Sequence, residues 1–139
     1  MKKITRQIIL LALIVTASCN DFNIKRENYK SGKIKSIKRY KEGLLDGQTQ
    51  WFYENGTIEQ TVIFERGKEL GDAFYFYPDG RLKYFRYWRS GKMSGYGSDF
   101  YDDSTRTVKA ISFFENGYLT YKKSFDSLGN VISEEGRKR

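Results

Sequence analysis

The feature that most constrains this chain is a period of 24 residues. Gly32, Gly56 and Gly80 keep that step, as do Gly43, Gly67 and Gly91, and Gly47, Gly71 and Gly95. Aromatic residues share it: Tyr53, Tyr77 and Tyr101 recur with Phe52, Phe76 and Phe100 beside them, and Tyr40, Phe64 and Trp88 form another series. Ile34, Ile58 and Leu82 add a fourth kind. A fixed period of this length marks a repeat architecture, in which a unit buries little alone and is completed by its neighbours.

Each unit reads as a β-hairpin. The stretch TIEQTVIFER between Gly56 and Gly67 alternates, with Ile58, Val62 and Phe64 on one side. The stretch DAFYFYPD between Gly71 and Gly80 is short and rich in rings. Aromatic and β-branched residues at period two favour strands over helices. Glu54-Asn55-Gly56 and Pro78-Asp79-Gly80 carry turn chemistry, and the Gly-x-x-x-Gly segments form the opposite set of turns. The predicted fold is all-β: an elongated, twisted, single-layer antiparallel meander of seven or eight strands. Composition agrees. With 17% aromatic residues, 39% hydrophobic residues and one Pro, rings clothe sheet faces in place of an aliphatic core. At 139 residues there is room for one domain.

Gly67-Lys68-Glu69-Leu70-Gly71, followed by Asp79-Gly80, and Gly91-Lys92-Met93-Ser94-Gly95-Tyr96-Gly97 carry a family resemblance. They resemble the MORN repeat, in the variant form found in many bacterial proteins, over residues 29 to about 129. The resemblance implies a β-repeat module and specifies no activity or cofactor. The variant family is also labelled antitoxin-like, which implies a partner protein as a further class. Standard MORN units have a shorter period and a Tyr-x-Gly in the strand after Asp-Gly. Here that strand reads Tyr84-Phe85-Arg86, so the lipid binding proposed for standard arrays is not carried over.

The N-terminus reads as an address. Lys2, Lys3 and Arg6 precede the apolar run Ile8 to Val15, which is shorter than the roughly 20 residues needed to cross a bilayer. Thr16-Ala17-Ser18-Cys19 resembles the lipobox of bacterial lipoproteins, with Thr16 where an aliphatic residue is usual. The resemblance implies removal of residues 1–18, lipidation of Cys19, and attachment to a membrane of the bacterial cell envelope, periplasm-facing or surface-exposed. The alternative is a secretory signal cut near Ala17 or Ser18, leaving the only cysteine as a free thiol. The expected layout is signal peptide 1–18, lipidated tether 19–28, repeat domain 29–135 and basic tail 136–139. Loss of the signal lowers the net charge from +8 to +5. Export makes nucleic acid an unexpected partner despite the basic and aromatic character.

The absence of His excludes Ser-His-Asp and Cys-His catalysis and removes the commonest zinc ligand. Carboxylate-pair hydrolysis would need an enclosed cleft, whereas these acids fall mostly in turns and alternating exposed positions. No enzyme, cofactor or metal centre is expected. Three features compete as binding sites, each with a structural alternative. Trp51, Tyr53, Tyr75, Tyr77 and Tyr101 share one strand parity, opposite to Phe52, Phe76 and Phe100. They read either as cladding or as a surface for a glycan or a partner protein. Between Lys25 and Lys41, eight Lys or Arg meet one acid, Glu27. Lys33, Lys35, Arg39 and Lys41 then form a basic face on the first strand, reached from Cys19 by a tether spanning on the order of 15 to 18 Å. That face reads as membrane-proximal, each cation contributing about 1 kcal/mol, or as edge protection against aggregation. Finally, the rhythm slips after Tyr101. Two extra residues enter at Asp102-Asp103-Ser104-Thr105-Arg106, and Asp99 stands where Trp51 and Tyr75 carry rings. Asp99, Asp102 and Asp103 read as a weak cation loop or as a longer polar turn. The function expected is non-catalytic protein binding or scaffolding at the envelope, with glycan binding as the alternative.

Overall fold

A computed structural model describes residues 22–136. They form β1 (Phe22–Asn28), β2 (Ile34–Lys41), β3 (Leu44–Leu45), β4 (Gly47–Phe52), β5 (Ile58–Glu65), β6 (Lys68–Glu69) and β7 (Gly71–Phe76). There follow β8 (Leu82–Arg89), β9 (Lys92–Met93), β10 (Gly95–Phe100), β11 (Val108–Glu115), β12 (Tyr118–Phe125) and β13 (Val131–Gly136). All lie in one open antiparallel sheet in chain order, with the two-residue β3, β6 and β9 pairing β2, β5 and β8 beside the main path. The single-layer antiparallel meander expected from the repeat is therefore present. The count differs: ten strands line the path where seven or eight were expected. Part of the excess is β1, whose residues 22–28 were expected as tether. Its Phe22 and Ile24 alternate with polar residues, but Lys25, Arg26 and Glu27 hide the pattern from a search for apolar strands.

Two turn geometries alternate. At one end Glu42-Gly43, Arg66-Gly67, Ser90-Gly91 and Asn116-Gly117 all have positive φ at both residues. Two-residue loops of this mirror-image kind match the twist of the strands they join, and Gly is favoured in them because it adopts positive φ without steric cost. At the other end the Gly56 amide donates to Tyr53 O and the Tyr53 amide to Thr57 O, both at 2.9 Å. This closes a three-residue loop with a glycine bulge. The same pattern recurs at Tyr29, Tyr77 and Asp126. At the slip, Tyr101 still donates to a carbonyl across the loop, Thr107 O at 3.0 Å.

Neighbouring repeats are fastened at both ends. The Tyr29 hydroxyl donates to Phe52 O at 2.6 Å, Tyr53 to Phe76 O at 2.7 Å, Tyr77 to Phe100 O at 3.1 Å and Tyr101 to Phe125 O at 2.8 Å. At the opposite end the Gly67 amide donates to Leu45 O, Gly91 to Glu69 O and Gly117 to Met93 O. Each such bond contributes on the order of 1 kcal/mol. The tyrosine spacing thus reports a clamp from each loop to the next repeat.

The core is one row of small side chains, as a sheet without a second layer requires. Thr49 faces Val62, Ala73 faces Arg86 and Gly97 faces Ser112. Thr49, Val62, Ala73 and Ser112 are buried, together with Ser36, Ala110 and Phe114. Arg86 is the long polar chain that stands between Ala73 and Gly97 in this row, and Gly97 makes room for it. A Cβ at Gly97 would lie 2.9 Å from Arg86 Cδ and 2.9 Å from Phe85 O. The second glycine of Gly95-Tyr96-Gly97 is therefore a packing requirement.

Candidate functional site

Cross-strand register places one residue per strand in a second row on the same face. In order they are Glu27, Ser36, Trp51, Gln60, Tyr75, Tyr84, Asp99, Ala110, Ser124 and Ser133. The middle of the row is filled. Trp51 packs against Phe64 with ring centroids 6.5 Å apart, and Tyr75 stacks on Tyr84 at 4.2 Å. Burial, followed by the nearness of the Tyr84 phenol, raises the Tyr75 pKa above the usual phenol value. Burial likewise raises that of Tyr84.

One repeat further on, the stacked pair is replaced by Asp99 facing Ala110. Two rings are lost at once, and Ser124 and Ser133 continue the row with small side chains. A cleft of about 360 Å³ opens there. Ala110 and Ser124 lie within it, and Tyr77, Tyr84 and Tyr101 supply aromatic walls. Lys83, Lys109 and Lys122 also line it. The Lys83 ammonium sits 5.6 Å from the Tyr77 ring centroid and that of Lys109 5.6 Å from Tyr101, so each cation lies by a wall ring. Lys83 and Lys109 occupy the bulged position before the row residue, which turns them toward the row. The acid in the cleft, Asp99, is occupied: Arg86 Nη2 donates to it at 2.6 Å, while Nη1 donates to Phe85 O and Ser98 O. The Arg86 guanidinium also lies 4.9 Å from the centroid of Tyr84.

The three acids expected near one another each have a separate partner. Asp99 pairs with Arg86 and Asp102 with Arg81 at 2.5 Å. Asp103 accepts from the Thr105 hydroxyl at 2.7 Å and amide at 3.0 Å, and the hydroxyl bond is the main cause of its lowered pKa. Among the described residues no group of three His, Cys, Asp or Glu is placed to hold a metal ion. Of the aromatic set, Tyr53 and Tyr77 are inter-repeat clamps, whereas Trp51 and Tyr75 lie in the filled row.

The expected basic face is dispersed and is not on the edge strand. Lys33 lies in the loop before β2, while Lys35, Arg39 and Lys41 are on β2, which β1 covers. Lys35 lies over Tyr29 at 5.8 Å, and Arg39 and Lys41 both lie over Phe22, at 3.6 and 5.7 Å. Cys19 and the lipobox lie outside the described residues.

Sequence reasoning missed the opposite face. Ile63, Phe74 and Tyr96 are exposed there, 43%, 37% and 57% accessible, with Phe85 beside Phe74 and Phe113 beside Tyr96. No periodic signal marks them. Phe74 corresponds to Gln50 and Ser98, and Tyr96 to Gln48 and Asp72, so a search for repeated residues passes over them.

Solved structures similar to the chain include two of TarM. TarM is 16% identical, with a TM-score of 0.43, covering 72% of this chain and 19% of that one. A mutant S. aureus TarM in complex with fondaparinux, alpha-GlcNAc-glycerol and UDP is 13% identical, with a TM-score of 0.43, covering 81% and 19%. The chain thus spans about a fifth of either structure's length. No curated protein matches the chain. The MORN repeat variant model matches residues 45–66, one hairpin built on β4 and β5, and this match to one unit of the 24-residue repeat supports the MORN family.

Proposed function

We propose that this protein is a non-catalytic repeat module, held at the bacterial cell envelope by lipid on Cys19, that binds a partner protein through its sheet. The observation that carries the reading is the exposed apolar group Ile63, Phe74 and Tyr96 on one face of an open sheet. Phe74 and Tyr96 each extend a ring pair, with Phe85 and with Phe113, so apolar surface recurs across this face, and such surface favours protein docking. The acids give little support to hydrolysis: Asp79, Asp99 and Asp102 are paired with arginines, and Asp103 and Asp126 accept hydrogen bonds within their own turns. The membrane address rests on the lipobox resemblance. With β1 starting at Phe22, three residues beyond Cys19, anchoring would hold the sheet close to the bilayer, and β1 itself carries Lys25 and Arg26.

Two measurements test this. In cells fed a palmitate analogue, wild-type protein becomes labelled and Cys19→Ala does not. Label retained by Cys19→Ala would refute the anchor. A photo-crosslinking amino acid at position 74 captures one stoichiometric protein from intact envelopes, and adding Tyr96→Ala reduces that capture. Absence of any discrete adduct at position 74 would refute protein docking on this face.

A further inference from the structure

We infer that the cleft at the repeat slip binds an acidic saccharide. It lies on the face opposite Phe74 and Tyr96, so its test stands apart from that of partner docking. The first argument is comparative. A repeat protein normally fills equivalent positions with equivalent bulk, and Trp51 with Gln60 and Tyr75 with Tyr84 do so. Asp99 with Ala110 removes that bulk while the strands stay paired and the Tyr77 and Tyr101 clamps stay made. The vacated space is therefore held open by a frame that does not collapse into it. Its volume, about 360 Å³, is near the lower end of the roughly 300–1,000 Å³ typical of small-molecule sites.

The second argument is charge. Lys83, Lys109 and Lys122 line the cleft, and among the described residues none of them forms an ion pair. Glu135 is the cross-strand neighbour of Lys122, yet no ion pair joins them. The one acid that lines the cleft, Asp99, is neutralised by Arg86. Three unpaired ammonium groups around one cleft call for an anion.

The third argument separates saccharide from peptide. β10, β11 and β12 are interior strands whose backbone groups are paired on both sides, so no main-chain ladder is on offer to an extended peptide. Recognition falls to side chains: ammonium groups for acid substituents and the Tyr77, Tyr84 and Tyr101 rings for the C–H face of a sugar. The row continues through Ser124 to Ser133 on the last strand, which gives a chain of sugars a way out of the cleft.

Calorimetric titration of the purified full-length protein with hexagalacturonate, maltohexaose and poly-glutamate tests the inference. Hexagalacturonate is expected to bind, and maltohexaose and poly-glutamate to bind at least tenfold more weakly. Lys109→Gln with Lys122→Gln, at surface positions where folding is not at stake, is expected to raise Kd for hexagalacturonate at least tenfold. Asp99→Tyr with Ala110→Tyr restores the ring pair and removes an acid. It is expected to abolish binding even though the protein becomes more cationic, with folding checked by its melting temperature. Equal binding of maltohexaose or poly-glutamate would overturn the assignment, as would undiminished binding by the lysine variant or by a folded refilled variant.

Discussion

The hairpins β7–β8 and β10–β11 share a frame and differ in what fills it. Both have a bulge one residue before the row position, a positive-φ glycine at the strand start and a tyrosine clamp to the next repeat. In the first, Tyr75 and Tyr84 stack across the row; in the second, Asp99 and Ala110 leave it open. Even the two-residue insertion is absorbed in the loop, since Tyr101 still reaches Phe125 O at 2.8 Å. The difference teaches that backbone pairing and clamps carry the architecture, leaving row residues free to change. Specific chemistry can then be placed in one repeat without cost to its neighbours, as nearest-neighbour stability in repeat proteins allows.

The largest expected effect comes from the core positions Thr49, Ala73 and Gly97, which are equivalent in successive repeats. Gly97→Val would drive a side chain into Arg86 Cδ and Phe85 O, each 2.9 Å from a Cβ. A loss of about 3 kcal/mol in urea unfolding is expected, as for overpacking. Thr49→Val should do the reverse. The buried Thr49 hydroxyl has no hydrogen-bond partner among the described residues, so its removal is expected to stabilise by about 1 kcal/mol. Valine introduced at equivalent positions two repeats apart, 49 and 97, thus has effects of opposite sign. Equal effects at both sites would show that the two regions do not differ as described.

The clamps sharpen the comparison from the other side. Tyr53→Phe and Tyr101→Phe each remove one hydroxyl-to-carbonyl bond, and each is expected to cost about 1 kcal/mol in the same assay. A neutral Tyr101→Phe beside a costly Tyr53→Phe would mean that the slip has uncoupled the last hairpins.

The smallest effect is in alkali. The folded pKa of Tyr75 lies above the ordinary phenol value of 10.0, because burial and then Tyr84 disfavour its ionised form. Its contribution is therefore fully present below pH 10 and is lost as pH rises through the folded value. Stability followed across that range should fall, and Tyr75→Phe should flatten the fall. An unchanged profile would show that the stacked pair is not the group responsible.

Much of this was legible in sequence because it was periodic. The glycines mark the turns and strand alternation marks the sheet, whereas the Tyr53, Tyr77 and Tyr101 series reads in sequence as cladding or a binding surface and only the structure shows its hydroxyls clamping the next repeat. β1 escaped because Lys25, Arg26 and Glu27 mask its alternation. The slip near Asp99 was visible, but it suggested clustered carboxylates. Only cross-strand register reveals that Arg86 takes Asp99 and that the missing rings matter more than the added acid. Phe74 and Tyr96 escaped for a related reason. They do not repeat, and their exposure depends on how a single-layer sheet distributes its rings between two faces.

The most direct measurement is amide chemical-shift mapping of the isotope-labelled protein during titration with hexagalacturonate. Shifts are predicted to cluster at Tyr77, Lys83, Asp99, Tyr101, Lys109 and Ser124, with Gln60 and Thr61 in the filled repeat unmoved. Shifts spread evenly over the repeats, or centred on Phe74 and Tyr96, would contradict the claim that the slipped repeat alone has been opened for a ligand.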